Sequence, residues 1–271
     1  MRPIRIGQLG RIGPPNLQLG PGLPRIVNGR LKEIMYQQPK VLIFLGPPGS
    51  GKGTQAARLS AALEIPAIST GEILRRECQS GSELGRRVQA VLRSGALVED
   101  ELMNEIVEKR LAKKDCRGGC ILDGFPRTVE QAQHLDGMLR RLGMRQPAVF
   151  DFAVSPDELI SRLERRRHCP TCGRIYSIEK SDSVYSSYCL NDGARLECRA
   201  DDQPHVIEER FRVYERNARE LVRFYERAEY HRIVAGRPVD HVTGQLFHAL
   251  GLSDLSPLPA QRAPRLAVAA C

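Results

Sequence analysis

The sequence of 271 residues has no apolar run that approaches the length of about 20 residues needed to span a membrane. It also lacks a charged start followed by an apolar segment, so we expect no secretory signal. Acidic residues are scarce only at the ends. Taking residues 1–40 and 253–271 from the totals of 41 basic and 32 acidic residues leaves 32 and 30 between them. This middle part is nearly neutral, and its charge therefore does not demand a nucleic-acid surface.

The two ends differ from the rest of the chain in composition. Residues 1–39 are rich in glycine, proline and arginine and show no period of a helix or strand, so we expect a disordered basic extension. Two alternatives are an organelle transit peptide, which the many prolines and glycines disfavour, and a translation start at Met35. Residues 253–271 are expected to be a disordered tail, which leaves residues 40–252 as the folded domain.

The eight cysteines are not distributed as in a small secreted domain held by disulfides. Four of them lie within thirty residues, namely Cys169, Cys172, Cys189 and Cys198, and the others are scattered. This clustering indicates a reducing compartment and a metal site. We therefore expect a cytoplasmic protein.

The spacing inside this cluster suggests zinc. Cys169-x-x-Cys172 and Cys189-x-x-Asp192 are separated by sixteen residues and put paired ligands on two tight turns, as a tetrahedral zinc requires. His168 and Cys198 compete with Asp192 for the fourth position. The remaining alternative is a metal-free segment in which polar residues hold the same turns by hydrogen bonds.

The stretch Gly-Pro-Pro-Gly-Ser-Gly-Lys-Gly-Thr at 46–54 follows an apolar run at 41–45 and leads into a helical pattern at 55–63. Glycines let successive backbone N–H groups turn toward one anion, and the first turn of the helix presents its own N–H groups to the same anion. Lys52 supplies a mobile positive charge. The stretch therefore predicts a phosphate-binding loop, although Gly53 stands where the general pattern has Ser or Thr.

Strands and helices alternate along the chain, which predicts an α/β fold with a parallel sheet covered by helices on both faces. Strands are expected at 41–45, 65–68, 120–123, 147–154 and 232–235, and helices at 55–63, 82–93, 99–111, 129–141, 155–167, 204–225 and 239–250, with a further helix starting near 70. Residues 168–200 break this rhythm. Asp123 ends a buried strand close to the loop, where its carboxylate is well placed to hold the waters of a magnesium ion.

Further motifs resemble the adenylate kinases and stand in that family's order over about residues 41–252. They are the loop at 46–54, Ile-Ser-Thr-Gly-Glu-Ile-Leu-Arg at 68–75, Gly-Ser-Glu-Leu-Gly at 81–85, Gly-Ala-Leu-Val at 95–98, Leu-Asp-Gly-Phe-Pro-Arg-Thr at 122–128 and Arg-Ala-Asp-Asp at 199–202. The resemblance implies a three-layer P-loop fold with an AMP-binding helical insert at about 69–98. The insert at about 165–202 is similar to the lid of the long, bacterial-type form, and it resembles zinc-bearing lids whose fourth ligand can be aspartate.

The reaction that the resemblance implies is reversible transfer of the terminal phosphoryl group of magnesium-ATP to AMP, giving two ADP. The transition state is mostly spread negative charge and the AMP phosphate is already ionised, so the protein must supply positive charge and exclude water rather than act as a base. The basic residues that match the family's catalytic positions are Lys52, Arg127, Arg162, Arg166, Arg199 and Arg210. Arg162 and Arg166 are four apart on a predicted helix, so we expect them to share one face.

The resemblance also implies the binding residues of the two nucleotides. ATP would be bound by Gly49, Ser50, Gly51, Lys52, Gly53, Thr54, Arg166, Ile175, Tyr176 and Arg237. AMP would be bound by Thr70, Arg75, Ala96, Leu97, Val98, Gly124, Phe125, Pro126, Arg127, Gln131, Arg199 and Arg210. Gln131 would hydrogen-bond the edge of adenine. Thr128 bears on the choice of acceptor, because the related UMP/CMP kinases generally have asparagine there and a much shorter lid.

Two alternatives to a monomeric, ATP-using AMP kinase stay open. Within the same fold, the acceptor could be UMP or CMP, or the donor could be GTP. In another class, Cys-x-x-Cys and the basic ends would suit a zinc-ribbon ATPase that binds nucleic acid, and a salt-dependent DNA interaction that survives removal of residues 1–34 would support it. The near-neutral middle of the chain and the motif at 123–128 argue against nucleic acid.

Overall fold

The structure is a computed structural model that describes residues 40–178 and 187–252. The predictions of disorder for 1–39 and 253–271 therefore lie outside the described residues. Five strands form one parallel sheet in the order β2-β3-β1-β4-β7. They are β1 (Lys40–Leu45), β2 (Ala67–Ser69), β3 (Gly119–Asp123), β4 (Ala148–Ala153) and β7 (Glu229–Val234). The predicted parallel α/β fold is confirmed.

Eight α-helices flank or extend this sheet in the described part of the chain. They are α1 (Lys52–Leu63), α2 (Thr70–Gln79), α3 (Glu83–Ser94), α4 (Asp100–Leu111), α5 (Val129–Arg141), α6 (Pro156–Arg165), α7 (Pro204–Tyr225) and α8 (Val239–Ala249). Short 3₁₀ helices lie at Lys114–Cys116 and Ala200–Asp202. None of the helices in 40–178 and 187–252 is long and apolar enough to cross a membrane.

The side chains of β1 alternate between the two faces of the sheet and enter two separate hydrophobic cores. Val41, Ile43 and Leu45 pack on one face, whereas Leu42 and Phe44 pack on the other, because successive side chains of a strand point to opposite faces. The first core continues into α4, α5 and the end of α7, and the second into α1 and α8. Burying each such side chain contributes roughly 1.5–3 kcal/mol to the stability of the fold. The packed layers therefore fix the positions of the carboxyl ends of the strands.

The helix boundaries follow ordinary capping chemistry. Ser82 caps α3 by accepting a hydrogen bond from Gly85 N at 2.8 Å, and Gly95 closes the same helix in the left-handed conformation with φ 76°. Pro156 and Pro204 occupy the first positions of α6 and α7, where the missing N–H costs no helical hydrogen bond. Such signals explain why most of the predicted helices agree with the structure to within one or two residues.

Two elements differ from the prediction. The last strand runs from Glu229 to Val234, earlier than the expected 232–235. The helix predicted for 155–167 ends at Arg165, and the chain continues as strand β5 (Arg166–His168), which pairs antiparallel with β6 (Ile175–Ser177). The expectation that Arg162 and Arg166 share one helix face is therefore wrong, because Arg166 has the extended backbone of a strand (φ −67°, ψ 130°).

Candidate active site

The predicted phosphate-binding loop joins the end of β1 to the start of α1. Gly46, Gly49 and Gly51 have φ of 137°, 83° and 94°, a region that other residues rarely adopt. At Gly46 a Cβ atom would stand 2.9 Å from the carbonyl oxygen of Phe152, so the loop also passes too close to β4 for a side chain. The loop therefore depends on glycine for its conformation and for its contact with the sheet.

Lys52 folds back over this loop. Its Nζ donates to the carbonyl oxygens of Gly46 and Pro47, both at 2.8 Å, and to Ser50 Oγ at 3.1 Å. Burial lowers the pKa of Lys52 to about 8, while the Asp123 carboxylate opposes this and three nearby arginines add to it. Its ammonium group is thus held at the loop by neutral oxygens, in a position to meet a phosphate.

Gly53 and Asp123 explain the departure from the general pattern of this loop. A Cβ atom at Gly53 would lie 3.3 Å from Asp123 Oδ2, so a serine there would crowd the carboxylate at the end of β3. Thr54 follows as the third residue of α1 and is exposed. The structure thus places Gly49, Ser50, Gly51, Lys52, Gly53 and Thr54 around the start of α1, with Asp123 beside them.

A cleft lies between α2, the connection from α3 to α4, and the segment that follows β3. The space between its walls is about 580 Å³, a volume that includes open solvent. The predicted residues that line it are Thr70, Arg75, Ala96, Leu97, Val98, Gly124, Arg127, Gln131 and Arg210. The lining residues that were not predicted are Gly71, Leu74, Leu92, Gly95, Met103 and Asp201. Since the apolar members among these have the same periodicity as core residues, no sequence signal distinguishes them.

Three predicted AMP-site residues lie elsewhere. Phe125 is fully buried in the core against the sheet, Pro126 is buried beside it, and Arg199 is outside the lining of the cleft. Gly124 lines the cleft with a φ of 82°, and its backbone passes close to Arg127 and Thr70. A Cβ atom there would be 3.1 Å from both Arg127 NH2 and Thr70 Oγ1. Thr70 donates to the Gly124 carbonyl at 2.9 Å and fixes this approach.

Five of the predicted arginines gather around two aspartates, Asp201 and Asp202, which are both buried. Arg166 forms a two-pronged ion pair with Asp202, in which Nε donates at 2.7 Å. Arg210 NH1 donates to the Asp201 carbonyl at 2.7 Å and contacts Asp202 Oδ1 at 3.2 Å. Arg75 NH1 lies 3.6 Å from Asp201 Oδ2. Charges from Arg199 and Arg127 also act on this cluster.

The cluster carries more positive charge than its aspartates balance. Partial desolvation and neighbouring guanidinium groups lower the pKa of Arg127 and of Arg199 to about 10. Arg199 Nε is buried and has no hydrogen-bond partner within the described part of the chain. Burial alone would raise the pKa of Asp201, but Arg210, Arg75 and Arg199 hold it below its usual value. An anion bound here would satisfy donors that the protein leaves unpaired.

Asp201 and Asp202 were part of a motif in the sequence but were not predicted as site residues. The motif alone does not reveal their role, because the burial that makes cationic partners necessary is seen only in the structure. Glu72 belongs with them, since it accepts from Arg75 NH2 at 3.2 Å. These acids hold the arginines in position and cannot themselves bind a phosphate.

Arg162 and Arg166 point to different parts of the site. Arg162 donates to Glu158 Oε1 at 2.7 Å and to the carbonyl oxygen of Ala235 at 2.9 Å. Its NH1 is 3.8 Å from the position of a Cβ atom at Gly51, which places the guanidinium beside the phosphate-binding loop. Arg166 instead belongs to the cluster around Asp202.

The three remaining residues that were predicted to contact ATP are Ile175, Tyr176 and Arg237. Ile175 is 44% exposed, and Arg237 is exposed in the turn between β7 and α8. Tyr176 OH contacts Cys189 Sγ at 3.1 Å and accepts a hydrogen bond from Leu190 N at 3.2 Å. The Tyr176 hydroxyl therefore belongs to the cysteine cluster.

The cysteine cluster brings together the four residues that spacing predicted. One ligand atom from each of Cys169, Cys172, Cys189 and Asp192 lies within 4.8 Å of the others. Cys172 Sγ is 3.5 Å from Cys189 Sγ, and Cys169 Sγ is 3.3 Å from both carboxylate oxygens of Asp192. A tetrahedral zinc with bonds of about 2.0–2.3 Å has ligand separations below about 4 Å, which these pairs meet. Three thiols and a carboxylate are also groups that zinc binds, so this set of residues fits the metal.

The two halves of the cluster are built alike. Cys172 N approaches Cys169 Sγ at 3.3 Å, and Asn191 N approaches Cys189 Sγ at 3.4 Å. Each turn closes on a glycine with positive φ directly after its second ligand, 74° at Gly173 and 70° at Gly193. The two rival ligands are outside the set, since His168 Nδ1 is 3.0 Å from the Glu197 carbonyl and Cys198 is exposed.

Comparison with known proteins identifies the family. The family model described as adenylate kinase matches residues 44–230. An adenylate kinase from Thermosipho africanus is 44% identical over 187 residues, which cover 69% of this chain and 87% of the relative. Those from Fervidobacterium nodosum and Thermotoga maritima are 42% and 39% identical over 211 and 215 residues, covering 78% and 79% of this chain and 97% and 98% of the relatives. Because the matched span runs from the first strand of the sheet into the last, the chain belongs to the adenylate kinase family.

Proposed function

We propose that this protein catalyses the reversible transfer of the terminal phosphoryl group of magnesium-ATP to AMP, giving two ADP, and so serves nucleotide homeostasis. The main support is that positively charged side chains from different segments lie close together. Arg127, Arg210 and Arg166 all depress the pKa of Lys52, so the lysine of the phosphate-binding loop and the arginines near the cleft share one electrostatic region. Two nucleotides bound on either side would bring their phosphates together there.

Each cation has a distinct proposed role. Lys52, with the backbone N–H groups of the loop, binds the terminal phosphates of ATP. Arg75 and Arg127 bind the phosphate of AMP, while Arg166, Arg199 and Arg210 stabilise the charge that spreads over the transferred group. Arg162 completes the ATP side of the loop. Because arginine remains charged through the physiological range, none of these arginines is required to move a proton.

Magnesium fits the carboxylate at the end of β3. Asp123 would hold the ion through water, and its side chain is partly exposed next to Gly53 of the loop. The ion supplies neutralisation of the ATP phosphates when it is bound. Asp123 lies close enough to Lys52 to raise its pKa. Its carboxylate therefore offsets part of the positive charge at the phosphate-binding loop when ATP is absent.

The assignment of the AMP site can be tested with two neighbouring arginines of α2. Arg75 lines the cleft, whereas Arg76 is exposed and pairs loosely with Glu72 at 3.6 Å. We expect Arg75→Ala to lower kcat/KM for AMP about tenfold or more, because charge-assisted hydrogen bonds of about 1.5–3 kcal/mol are lost. Arg76→Ala is the matched control and should stay within about twofold. Equal effects of the two changes on ADP formation would contradict the site.

We further propose that the lid binds zinc through Cys169, Cys172, Cys189 and Asp192. The support is the ligand set, its separations and the paired turns that direct N–H groups at the sulfurs. A closed site with four protein ligands has no open position for substrate, so the metal would stiffen the lid and take no part in bond breaking.

Metal analysis of the purified protein tests this proposal. We expect about one zinc per chain and its loss in Cys172→Ser, with a lower Tm but a kcat within about threefold at 25 °C, since the metal is structural. Cys198→Ser, which changes an exposed cysteine outside the set, should keep the zinc. A wild-type protein that contains no zinc, or a Cys198 variant that loses it, would refute the ligand set.

The remaining assignments are also proposals. We infer a cytoplasmic monomer, supported by the free cysteines of the described part of the chain, which suit a reducing compartment. Residues 69–98 form the AMP-binding insert and residues 165–202 the lid. Membership of the adenylate kinase family favours this activity over a nucleic-acid-binding ATPase and over kinases of UMP or CMP.

A further inference from the structure

Asp100, the first residue of α4, lies outside the lining of the cleft and accepts hydrogen bonds from Thr128, the cap of α5, and from Gln131 in α5. Its Oδ1 accepts a hydrogen bond from Gln131 Nε2 at 2.6 Å, and its Oδ2 accepts one from Thr128 Oγ1 at 2.7 Å. Gln131 lines the cleft and is 2% exposed, whereas Asp100 is not among the lining residues. Asp100 can therefore influence a bound nucleotide only through Gln131.

The orientation of the Gln131 side chain follows from its two neighbours. Its Oε1 accepts from the backbone N–H of Arg127 at 2.8 Å, on the side opposite to Asp100. Rotating the amide by 180° would set its oxygen against the Asp100 carboxylate and its NH₂ group against the N–H of Arg127. Both new pairs are repulsive, so the amide has one allowed orientation.

Thr128 holds Asp100 in this arrangement. The Thr128 oxygen accepts from the backbone N–H of Gln131 at 3.1 Å as the cap of α5, so its only hydrogen is free to point at Asp100. Both oxygens of Asp100 are then occupied. The side chain connects the start of α4 to the start of α5 and leaves Gln131 no freedom to flip.

The locked amide presents one remaining acceptor site on Oε1 and one remaining N–H on Nε2. The matching base edge has a donor next to an acceptor. Adenine offers its amino group beside N1, and cytosine offers its amino group beside N3. Guanine, and uracil at the equivalent positions O4 and N3, have the reverse order, a carbonyl oxygen beside a ring N–H, and would need the flipped amide.

We propose that Asp100 is a positioning residue that sets the choice of acceptor base by locking the orientation of Gln131. The inference rests on the proposed function, in which the base of AMP lies against Gln131. It adds a chemical rule to that function: the lock excludes GMP and UMP by their hydrogen-bonding edge, while CMP is disfavoured only by its size.

The test is a comparison of the wild-type protein with Asp100→Asn. An asparagine amide can face Gln131 with either its oxygen or its NH₂ group, and the Thr128 hydroxyl can adapt to both. We expect the ratio of kcat/KM for AMP to that for GMP, and to that for UMP, to fall by at least about fivefold, the lower range for one paired edge. The ratio of AMP to CMP should stay unchanged. Where turnover of a poor acceptor is too slow, the Kd of each nucleotide from titration calorimetry gives the same ratios.

Two further variants separate this role from a structural one. Glu99→Gln removes the same charge one residue earlier, at an exposed position, and should leave all ratios unchanged. Thr128→Val frees one oxygen of Asp100 and should shift the ratios in the same direction by a smaller amount. It also serves as the second probe if Asp100→Asn unfolds.

The possible results are distinct. A loss of AMP:GMP and AMP:UMP discrimination with AMP:CMP constant supports the lock. A uniform fall for all four acceptors, or no change in any ratio, overturns it while wild-type activity toward AMP keeps the proposed function intact. Absence of transfer to AMP in the wild-type protein would instead refute the proposed function itself.

Discussion

Lys52 carries a charge at a position from which water is largely removed. Burial brings the pKa down to about 8, and the arginines of the neighbouring cluster act in the same direction. In the nucleotide-free protein the side chain therefore loses its proton as the pH rises through about 8. A bound polyphosphate favours the charged form and raises the pKa again, because an opposite charge nearby stabilises the ammonium.

This predicts a specific pH dependence at the residue scale. Since kcat/KM reports groups of the free enzyme, kcat/KM for ATP should fall above about pH 8, approaching tenfold for each further pH unit. The kcat at saturating ATP should stay level to higher pH because the bound phosphates keep Lys52 protonated. Initial rates from pH 6.5 to 9.5 check this. A kcat/KM that stays level through pH 9.5 would show that the lysine is not depressed.

The sequence could identify Lys52 but not Asp100 or Asp201. Lys52 lies in a local motif whose spacing carries its chemistry. Asp100 and Gln131 are 31 residues apart, and the contact between them exists only because α4 and α5 pack side by side. Acids that hold other functional side chains leave no periodic signal, so they emerge from the tertiary structure alone.

At the scale of elements, the connection between α1 and α8 anchors the helix that follows the phosphate-binding loop. Gln55 is buried in α1, donates through Nε2 to the Val239 carbonyl at 2.9 Å and accepts from Thr243 Oγ1 at 2.8 Å. Arg58 and Asp240 add an ion pair at 2.5 Å nearby. The two helices thus cover one face of the sheet as a unit.

Replacing Gln55 by alanine tests this connection. The change removes both hydrogen bonds of the Gln55 amide, while the Thr243 hydroxyl can still donate to the Val239 carbonyl at 2.9 Å. We expect the free energy of unfolding to fall by about 1–3 kcal/mol, the sum for two lost hydrogen bonds. Gln245→Ala is the control, because its hydrogen bonds to Val234 are exposed and should contribute about 1 kcal/mol or less. Urea unfolding followed by circular dichroism measures both. A similar loss for the two glutamines would contradict the anchoring role.

Long elements were predictable and short ones were not. The helix predicted for 129–141 agrees with the structure, because its apolar period, its Thr128 cap and its length all point the same way. Strands β5 and β6 have three residues each and no fully buried position, so no alternation marks them. The metal-type turns were predictable because their spacing is itself the structural constraint.

At the scale of the whole molecule, five separate segments supply the charges of the site. They are the loop after β1, helix α2, the segment after β3, the end of α6 with the start of β5, and the region from Arg199 to Arg210. The proposed lid also reaches the proposed AMP side of the site, since a Cβ atom at Gly173 would stand 3.7 Å from Glu72 Oε1. Such closeness suits a reaction from which water must be excluded.

Acceptor choice depends on Gln131 and Thr128, because the fold and the arginines would serve any nucleoside monophosphate. The most direct measurement incubates the purified full-length protein with magnesium-ATP and AMP, CMP, UMP or GMP in separate reactions, and quantifies the diphosphates by chromatography. We expect rapid formation of ADP with AMP and rates lower by about tenfold or more with the other three acceptors, since GMP and UMP present the wrong hydrogen-bonding edge to Gln131 and the smaller CMP fills less of the site. A preference for CMP or UMP would contradict the roles given to Gln131 and Thr128, and absence of transfer to every acceptor would contradict the kinase activity itself.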